Sequence, residues 1–376
     1  MISMKRLRIA MLGSKGIPAK HGVEIVVQEI SKRLVALGHI VTVYGYDWYM
    51  KGMSEFQGCS LVPIAGTRNR ILEMPIHAIR TLHAIIRSKQ EFDVIHIHSV
   101  DPCLFLFPLR ARYPIVTTAH GRAYKLSGVD LLRRTMSMIA ERIFIGLSQQ
   151  TTSVSKIDSE YYEGRYGGKV HYIPNGLPEL SPGDNARLER WGIEPKEYML
   201  FSAGRIIPSK GLDVLIEAYT RISTKMPLVV IGSGIEGSTY FRSLKLNAPD
   251  GVIFTGFISN RETLHALYAN AKMAIFPSES EGMSMTLLEY LAAGIPVIYS
   301  NIRENSAIAN GSWRPFPVGD IDALAQHIEE ELAETHDSKH SELELPALQD
   351  MHDWQTITYK YLECYTNAIK QAKNMK

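Results

Sequence analysis

The sequence predicts an α/β protein built from two Rossmann-like, doubly wound domains. Three observations point there. Short β-branched runs alternate with amphipathic stretches, which implies parallel sheets covered on both faces. The alternation restarts after a turn-rich segment near the middle. A length of 376 residues is also too great for one ordinary core and suits two domains.

In the first half, Arg8 to Gly13 reads as a strand followed by a glycine-punctuated loop. From Glu24 to Leu37, Val26, Val27, Ile30, Leu34 and Leu37 recur at helical spacing, and Gly38 stands where a C-cap is expected. Ile40 to Tyr44, Val94 to His98 and Ile115 to His120 read as further strands. The second half begins with a strand at Tyr198 to Gly204, a helix at Leu212 to Ile222 and a strand at Leu228 to Gly232. Val252 to Thr255, Met273 to Phe276 and Pro296 to Tyr299 continue the series. The turn-rich Pro174 to Pro178 and Ser181 to Asp184 mark the linker, giving domains over 1–176 and 177–351. Ligands of such sheets bind in the crevice outside the carboxyl ends of the strands, so a cleft between two such edges is the expected site.

Composition excludes several classes. Hydrophobic residues make up 45% and charged residues 21%, as in a soluble globular protein. Apolar runs such as Cys103 to Phe107 fall short of the roughly 18–20 residues of a bilayer span. Ile9 to Leu12, behind a few basic residues, is shorter than a secretory core and reads as a first buried strand. Cys59, Cys103 and Cys364 lie far apart, which suits a reducing cytoplasm. The charge is uneven: Met1 to Gly176 holds 23 Lys and Arg against 13 Asp and Glu, and the remainder 18 against 26. A basic first half suits an anionic partner, such as a membrane surface or a lipid diphosphate, or simply attraction to the acidic half. Two basic amphipathic stretches suit a membrane surface, or are ordinary helices packed on the sheet. One holds Ile76, Ile79, His83 and Ile86 with Arg80 and Arg87. The other holds Leu131, Leu132, Met136, Ile139 and Ile143 with Arg133, Arg134 and Arg142. Without an aromatic-interleaved basic patch, no nucleic acid is expected as a partner.

The chemistry concentrates at Pro277 to Glu289, where a strand ends, a loop follows and a helix begins near Ser284. Free N–H groups at a helix start can hold a phosphate without a metal. Glu281 and Glu289 are placed to accept hydrogen bonds from sugar and ribose hydroxyls, or else to serve as helix cap and solvated residue. Gly204 to Gly211 sets Arg205 and Lys210 in a loop after a strand, where two cations can neutralise a leaving diphosphate.

Arg205 with Lys210, then Glu281 and Glu289, followed by Ala293 to Ile298, resemble the donor site of family 4 glycosyltransferases, which are retaining enzymes of the GT-B fold. The resemblance extends to Gly13 to Pro18, Thr118 to Gly121, Ile173 to Gly176, Phe254 to Ile258 and a closing helix with Trp354. It implies that two Rossmann-like domains face each other across a cleft, an N-terminal acceptor domain and a C-terminal donor domain. A helix within 352–376 would cross back to the first. Arg205 and Lys210 would bind the donor diphosphate, with Gly204 in the same loop. Glu281 would contact the transferred sugar, with Gly282, Met283, Ser284, Met285 and Thr286 touching sugar or phosphate. Glu289 would bind the ribose, the backbone at Ile258 the base, and His120 would lie beside the sugar. Gly16 would let its loop approach the diphosphate, and Gly232 would form a tight turn near the nucleotide. The acceptor would be a glycan or a polyprenyl-diphosphate-linked saccharide of surface-polysaccharide assembly, reached from the inner face of the cytoplasmic membrane. No cofactor and no metal are expected, and no Asp-x-Asp motif is read that could hold Mn²⁺ or Mg²⁺. Relatives commonly pair two glycines ahead of the first helix, where this chain has His21-Gly22-Val23-Glu24. Met283 and Ser284 also replace a more frequent Phe-Gly pair.

Competing signals are weaker. Gly232 to Gly237 matches GxGxxG, but the next strand ends in Gly256 with no acid for a dinucleotide ribose. His96 and His98 share a strand face without an evident third metal ligand and read as core or cleft histidines. Glu329 to Glu331 with Glu334 reads as a solvated helix face. An epimerase of the same fold, or a non-catalytic nucleotide-sugar binder, are the alternatives from other classes.

Overall fold

A computed structural model describes residues 5–20, 22–67, 69, 71–122, 131–180, 188–235, 237–309, 313–334 and 348–374, the side chains of Leu131 to Arg133 excepted. His21, Glu236 and the linker residues Ser181 to Asp184 lie outside the described residues. The chain forms two compact units, Met1–Gly176 with His352–Lys376, and Leu177–Met351.

In the first unit, strands β1 (Arg8–Leu12), β2 (Ile40–Tyr46), β3 (Glu55–Phe56), β4 (Cys59–Ile64), β5 (Val94–His98), β6 (Ile115–Ala119), β7 (Gln150–Ser153) and β8 (Val170–Tyr172) form one sheet. Its order is β3-β4-β2-β1-β5-β6-β7-β8. Among the described residues only the β3–β4 pair at the edge is antiparallel. Helices α1 (Gly22–Ala36), α2 (Asp47–Met50), α3 (Glu73–Arg87), α4 (Cys103–Leu106), α5 (Leu131–Leu147) and α6 (Lys156–Tyr166) connect the strands. The β-branched runs become strands because both sheet faces are buried: Ile9, Ala10, Met11 and Leu12 are all fully enclosed. One core joins Leu12, Ile95, Ile97 and Ile115 to Ile85 of α3 and Phe144 of α5. Burying each such side chain contributes about 1.5–3 kcal/mol.

The second unit has strands β9 (Met199–Ile206), β10 (Leu228–Gly234), β11 (Val252–Gly256), β12 (Met273–Phe276), β13 (Val297–Ser300) and β14 (Arg314–Phe316), in the order β11-β10-β9-β12-β13-β14. Counted within the unit this is 3-2-1-4-5-6, the order of dinucleotide-binding folds. Helices α7 (Leu212–Arg221), α8 (Thr239–Leu246), α9 (Arg261–Ala269), α10 (Met285–Ala292), α11 (Arg303–Ala309) and α12 (Ile321–Ala333) link the strands. Of the glutamates expected on a solvated face of α12, Glu329 is exposed, whereas the other three are gathered by one residue. Arg314 of β14 binds Glu331 at 2.9 Å, Glu330 at 3.0 Å and also Glu334, and Glu331 is buried.

The closing helix α13 (Trp354–Asn374) belongs to the first unit. Trp354 lies on Gly176 so closely that a Cβ there would come within 2.3 Å of the indole. His352 Nδ1 is 2.6 Å from the Asn175 carbonyl oxygen. Tyr365 reaches His96 in β5, with its hydroxyl 2.9 Å from Nδ1.

Helices α3 and α5 each pack one face on the sheet and leave another exposed. His77, Ala78, Thr81 and Ile85 turn inward and Ile76 is half-buried, whereas Ile79, Arg80, His83, Ile86 and Arg87 are exposed. In α5, Ala140 and Phe144 are buried and Ile143 packs against the core, while Arg134, Met136, Ile139 and Arg142 are exposed. Only part of each stripe is therefore presented to solvent, among the described residues. Among the described residues no helix is long and apolar enough to cross a membrane.

Candidate donor site

In each sheet the chain leaves its first strand toward one edge and later returns to build the other. In the second unit this switch falls between β9 and β12, where ligands of open α/β sheets bind. Arg205 sits at the carboxyl end of β9, level with Ser233 of β10, and both Gly204 and Arg205 are exposed. The loop after β9 meets the loop after β12, and Glu279 donates its N–H to the Ser209 carbonyl at 2.9 Å. Lys210 Nζ lies 2.5 Å from Glu281 Oε1. Two residues that the sequence separates by 71 positions are thus an ion pair at the switch point.

Helix α10 begins at Met285, capped by Ser284, whose Oγ accepts from Leu287 N at 3.3 Å. The N–H groups of Met285 and Thr286 stand in the first turn, where no intrahelical acceptor reaches them. Gly282 and Met283 are half-buried in the approach to the helix. Ser278 is anchored in turn, its carbonyl accepting from Ser300 Oγ.

Glu289 differs from expectation. A wet, solvent-lined position was expected, but the side chain stands in the second turn of α10 and is 4% exposed. Arg261, at the start of α9, holds Oε1 at 2.9 Å. Burial raises the Glu289 pKa above the ordinary carboxylate range, opposed by Arg261 and by the Tyr268 hydroxyl. Tyr268 is itself fixed to Ser202 of β9 at 2.8 Å. Arg261 and Tyr268 were not singled out from sequence. Their signal is positional, since Arg261 opens a helix directly after the β11 loop. That loop contains Ile258, half-buried and three residues ahead of Arg261, so the base and ribose positions implied by the resemblance are tethered together.

Gly232 is required by packing, because a Cβ there would lie 1.9 Å from the Ala203 carbonyl oxygen. Gly16 has a comparable reason in the first unit. A Cβ there would fall 2.6 Å from Met50 Cε, with φ at +119°. The loop with a single glycine before α1 is held by side chains: Glu24 accepts from Lys15 N at 3.0 Å, Gln28 from Ala19 N at 2.8 Å, and Tyr49 from Lys20 N at 2.7 Å.

His120 follows β6 in the first unit. Its Nε2 is 3.0 Å from His98 Nδ1, and burial pushes its pKa down to about 4, so it is neutral near pH 7. His98 Nε2 is buried with no hydrogen-bond partner among the described residues. With Nδ1–H of His98 as the donor in that contact, the proton of His120 falls on its Nδ1. His96 is equally enclosed, between Tyr365 and Thr118 Oγ1 at 2.6 Å. Arg122 pins the segment after His120 through Asp158 at 2.7 Å.

No group of three potential metal ligands occurs among the described residues. The chain does contain one Asp-x-Asp triplet, Asp320-Ile321-Asp322, which the sequence reading did not count. Both carboxylates serve structure. Asp320 caps α12, accepting from Ala323 N at 3.0 Å, and Asp322 pairs with Arg221 at 2.5 Å.

Two sheets of this order, the second with cations and carboxylates gathered at its switch point, define a GT-B protein. Residues 20–179 match the family described as Glycosyltransferase Family 4, and residues 185–342 match Glycosyl transferases group 1. The chain belongs to the family 4 glycosyltransferases. An uncharacterized glycosyltransferase of Bacillus subtilis is 25% identical over 223 residues, which cover 57% of this chain and only 60% of that relative's length. A GDP-mannose-dependent α-(1-6)-phosphatidylinositol monomannoside mannosyltransferase of Mycobacterium tuberculosis is 26% identical over 329 residues, covering 78% of this chain and 80% of that protein. The structure of a sucrose-phosphate synthase from Thermosynechococcus elongatus superposes with a TM-score of 0.81 at 20% identity, over 96% of this chain and 98% of that one, a likeness of fold.

Proposed function

We propose that this protein is a retaining glycosyltransferase. It moves a hexose-type sugar from a nucleoside-diphosphate sugar to a glycan or polyprenyl-diphosphate-linked acceptor of bacterial surface-polysaccharide assembly. The observation that carries the reading is the contact of Lys210 with Glu281 at the switch point, beside Arg205 and the start of α10. An ammonium has three donors, so Lys210 holds the Glu281 carboxylate toward the sugar while neutralising a phosphate oxygen. Arg205 and the N–H groups of Met285 and Thr286 complete the charge neutralisation of the leaving diphosphate. The departing phosphate then takes the acceptor proton on the same face, so no protein nucleophile is needed and configuration is retained. Glu289 takes the ribose hydroxyls, and neutral His120 offers its Nδ1–H to the sugar. The GDP-mannose dependence of the mycobacterial relative supports a nucleotide-sugar donor.

A thermal-shift screen of UDP-, GDP-, dTDP- and ADP-sugars tests this. A ligand at 100 times its Kd should stabilise the protein by about 2.7 kcal/mol. Because Arg205, Lys210 and a helix start supply the positive charge, both the shift and turnover should survive EDTA. No response to any of the four sinks the reading, and turnover lost with EDTA and restored by Mn²⁺ sinks its metal-free part.

We place the protein on the inner face of the cytoplasmic membrane, bound through α3 and α5. The residues of the first unit, including the closing segment, hold 27 Lys and Arg against 15 Asp and Glu. Exposed Ile79, Ile86, Met136 and Ile139 lie beside Arg80, Arg87, Arg134 and Arg142. Apolar side chains flanked by cations suit an anionic lipid surface, each cation adding about 1 kcal/mol. The protein should sediment with anionic vesicles and be released as salt shortens the Debye length from about 10 Å at 0.1 M to 3 Å at 1 M. Ile79→Glu with Ile86→Glu should abolish sedimentation at low salt. Wild type that stays in the supernatant there gives these stripes another purpose.

A further inference from the structure

The first unit has a switch point of its own, between β1 and β5. A cavity of about 30 Å³ lies there, lined by Gly13 and Ser14 after β1, Tyr46 at the end of β2, His77 and Thr81 of α3, and Leu106 of α4. Ser14 Oγ, His77 Nε2 and Thr81 Oγ1 are buried with no hydrogen-bond partner among the described residues. Their residues are 4%, 6% and 1% exposed. Buried polar groups are nearly always paired, so three without a protein partner around one cavity offer their hydrogen bonds to whatever fills it.

We propose that this cavity seats one uncharged, hydrogen-bonding substituent of the acceptor sugar, a hydroxymethyl or acetamido group. The proposal rests on the glycosyltransferase reading and adds the chemical class of the acceptor group to it. Charge decides against an anion: no Lys, Arg, Asp or Glu lines the cavity. His77 is neutral, since burial pushes its pKa down to about 4. Its ring also hydrogen-bonds the Gly45 backbone and stacks on Tyr46 with centroids 3.7 Å apart, which fixes its orientation. With one ring nitrogen donating to the Gly45 carbonyl, Nε2 presents a lone pair. A phosphate or carboxylate would meet that lone pair and no cation, whereas an O–H or N–H donor is matched. Ser14 and Thr81 hydroxyls can donate or accept, and Tyr46, Met74 and Leu106 supply apolar wall for a CH₂ or methyl. Size agrees: one water needs about 10–15 Å³ on this measure, so the cavity takes a substituent and not a ring.

Saturation-transfer NMR with methyl glucoside, methyl N-acetylglucosaminide and methyl glucuronide as probes tests the subsite. At least one neutral glycoside should bind wild type, and the glucuronide should not. Thr81→Val and Ser14→Ala, which nearly preserve shape, should each weaken that binding about fivefold to tenfold, as for a lost neutral hydrogen bond. Absence of neutral glycoside binding to wild type, equal binding of the glucuronide, or unchanged binding by both variants overturns the proposal. Nucleotide-sugar thermal shifts on the same samples show that the variants are folded. A preserved shift without glycoside binding removes the subsite alone, whereas loss of both in wild type removes the glycosyltransferase reading as well.

Discussion

Replacing Arg205 or Lys210 with alanine is expected to lower kcat/KM for transfer by about 10²–10³-fold, some 2–4 kcal/mol of transition-state stabilisation, as for other preorganised charge partners. The two should not be equal. Arg205 is exposed at the end of β9, so its removal takes away one cation and disturbs little else. Lys210 is also the partner of Glu281, whose side chain is 10% exposed. Lys210→Ala therefore leaves that carboxylate without its 2.5 Å contact and loses its placement as well as the charge. The larger defect belongs to Lys210. Full turnover by the double variant would remove the diphosphate site from this loop.

Glu281→Gln and Glu289→Gln should fail in different ways. In the proposed mechanism Glu281 faces the sugar, where positive charge develops as the bond to phosphate breaks, so its loss should lower kcat by about 10²-fold with a smaller change in KM. In the same proposal Glu289 faces the ribose, which is unchanged in the reaction, so its loss should raise donor KM by about 10–100-fold, as for hydrogen bonds to a charged group. Stability separates them further. Burial raises the pKa of Glu289 in the folded protein. Below the unfolded pKa the group is neutral in both states and costs nothing. As pH rises through and above it, the unfolded chain ionises more readily, and folding stability is lost. Glu289→Gln should thus match or exceed wild-type stability at pH 7, with the advantage shrinking toward pH 4 in denaturant titrations. The half-exposed Arg261 left behind keeps its access to water. A variant that is less stable at pH 7 with an unchanged donor KM would make Glu289 a structural partner of Arg261 and nothing more.

Most strands legible in the sequence are buried on both faces, because a parallel sheet enforces apolar runs such as Val94 to Ile97 and Leu228 to Ile231, although half-buried β11 was legible too. Strand β7 was not legible. Its residues Gln150 to Ser153 are polar, and their hydroxyls are absorbed internally, with Thr152 Oγ1 donating to the Thr117 carbonyl at 3.0 Å. The candidate site was legible where strand end, loop and helix start are contiguous, as at Phe276 to Met285. Its pairings were not. Nothing local connects Lys210 to Glu281, or Arg261 to Glu289, until the sheet order brings β9, β11 and β12 into register. The three orphaned groups at Ser14, His77 and Thr81 come from two distant segments and carry no spacing that could announce a cavity.

Helix α13 gives the chain a particular order of completion during synthesis. The first unit's residues up to Gly176 leave the ribosome before any of the second, yet the faces of β5, β6 and β7 that receive Tyr361 and Tyr365 stay uncovered until the final segment emerges. His96 waits for its Tyr365 partner, and Gly176 for Trp354, across the whole translation of residues 177–351. The portion born first is therefore finished last. A fragment ending at Gly176 lacks Trp354, Tyr361 and Tyr365, three buried aromatic side chains of its own interior.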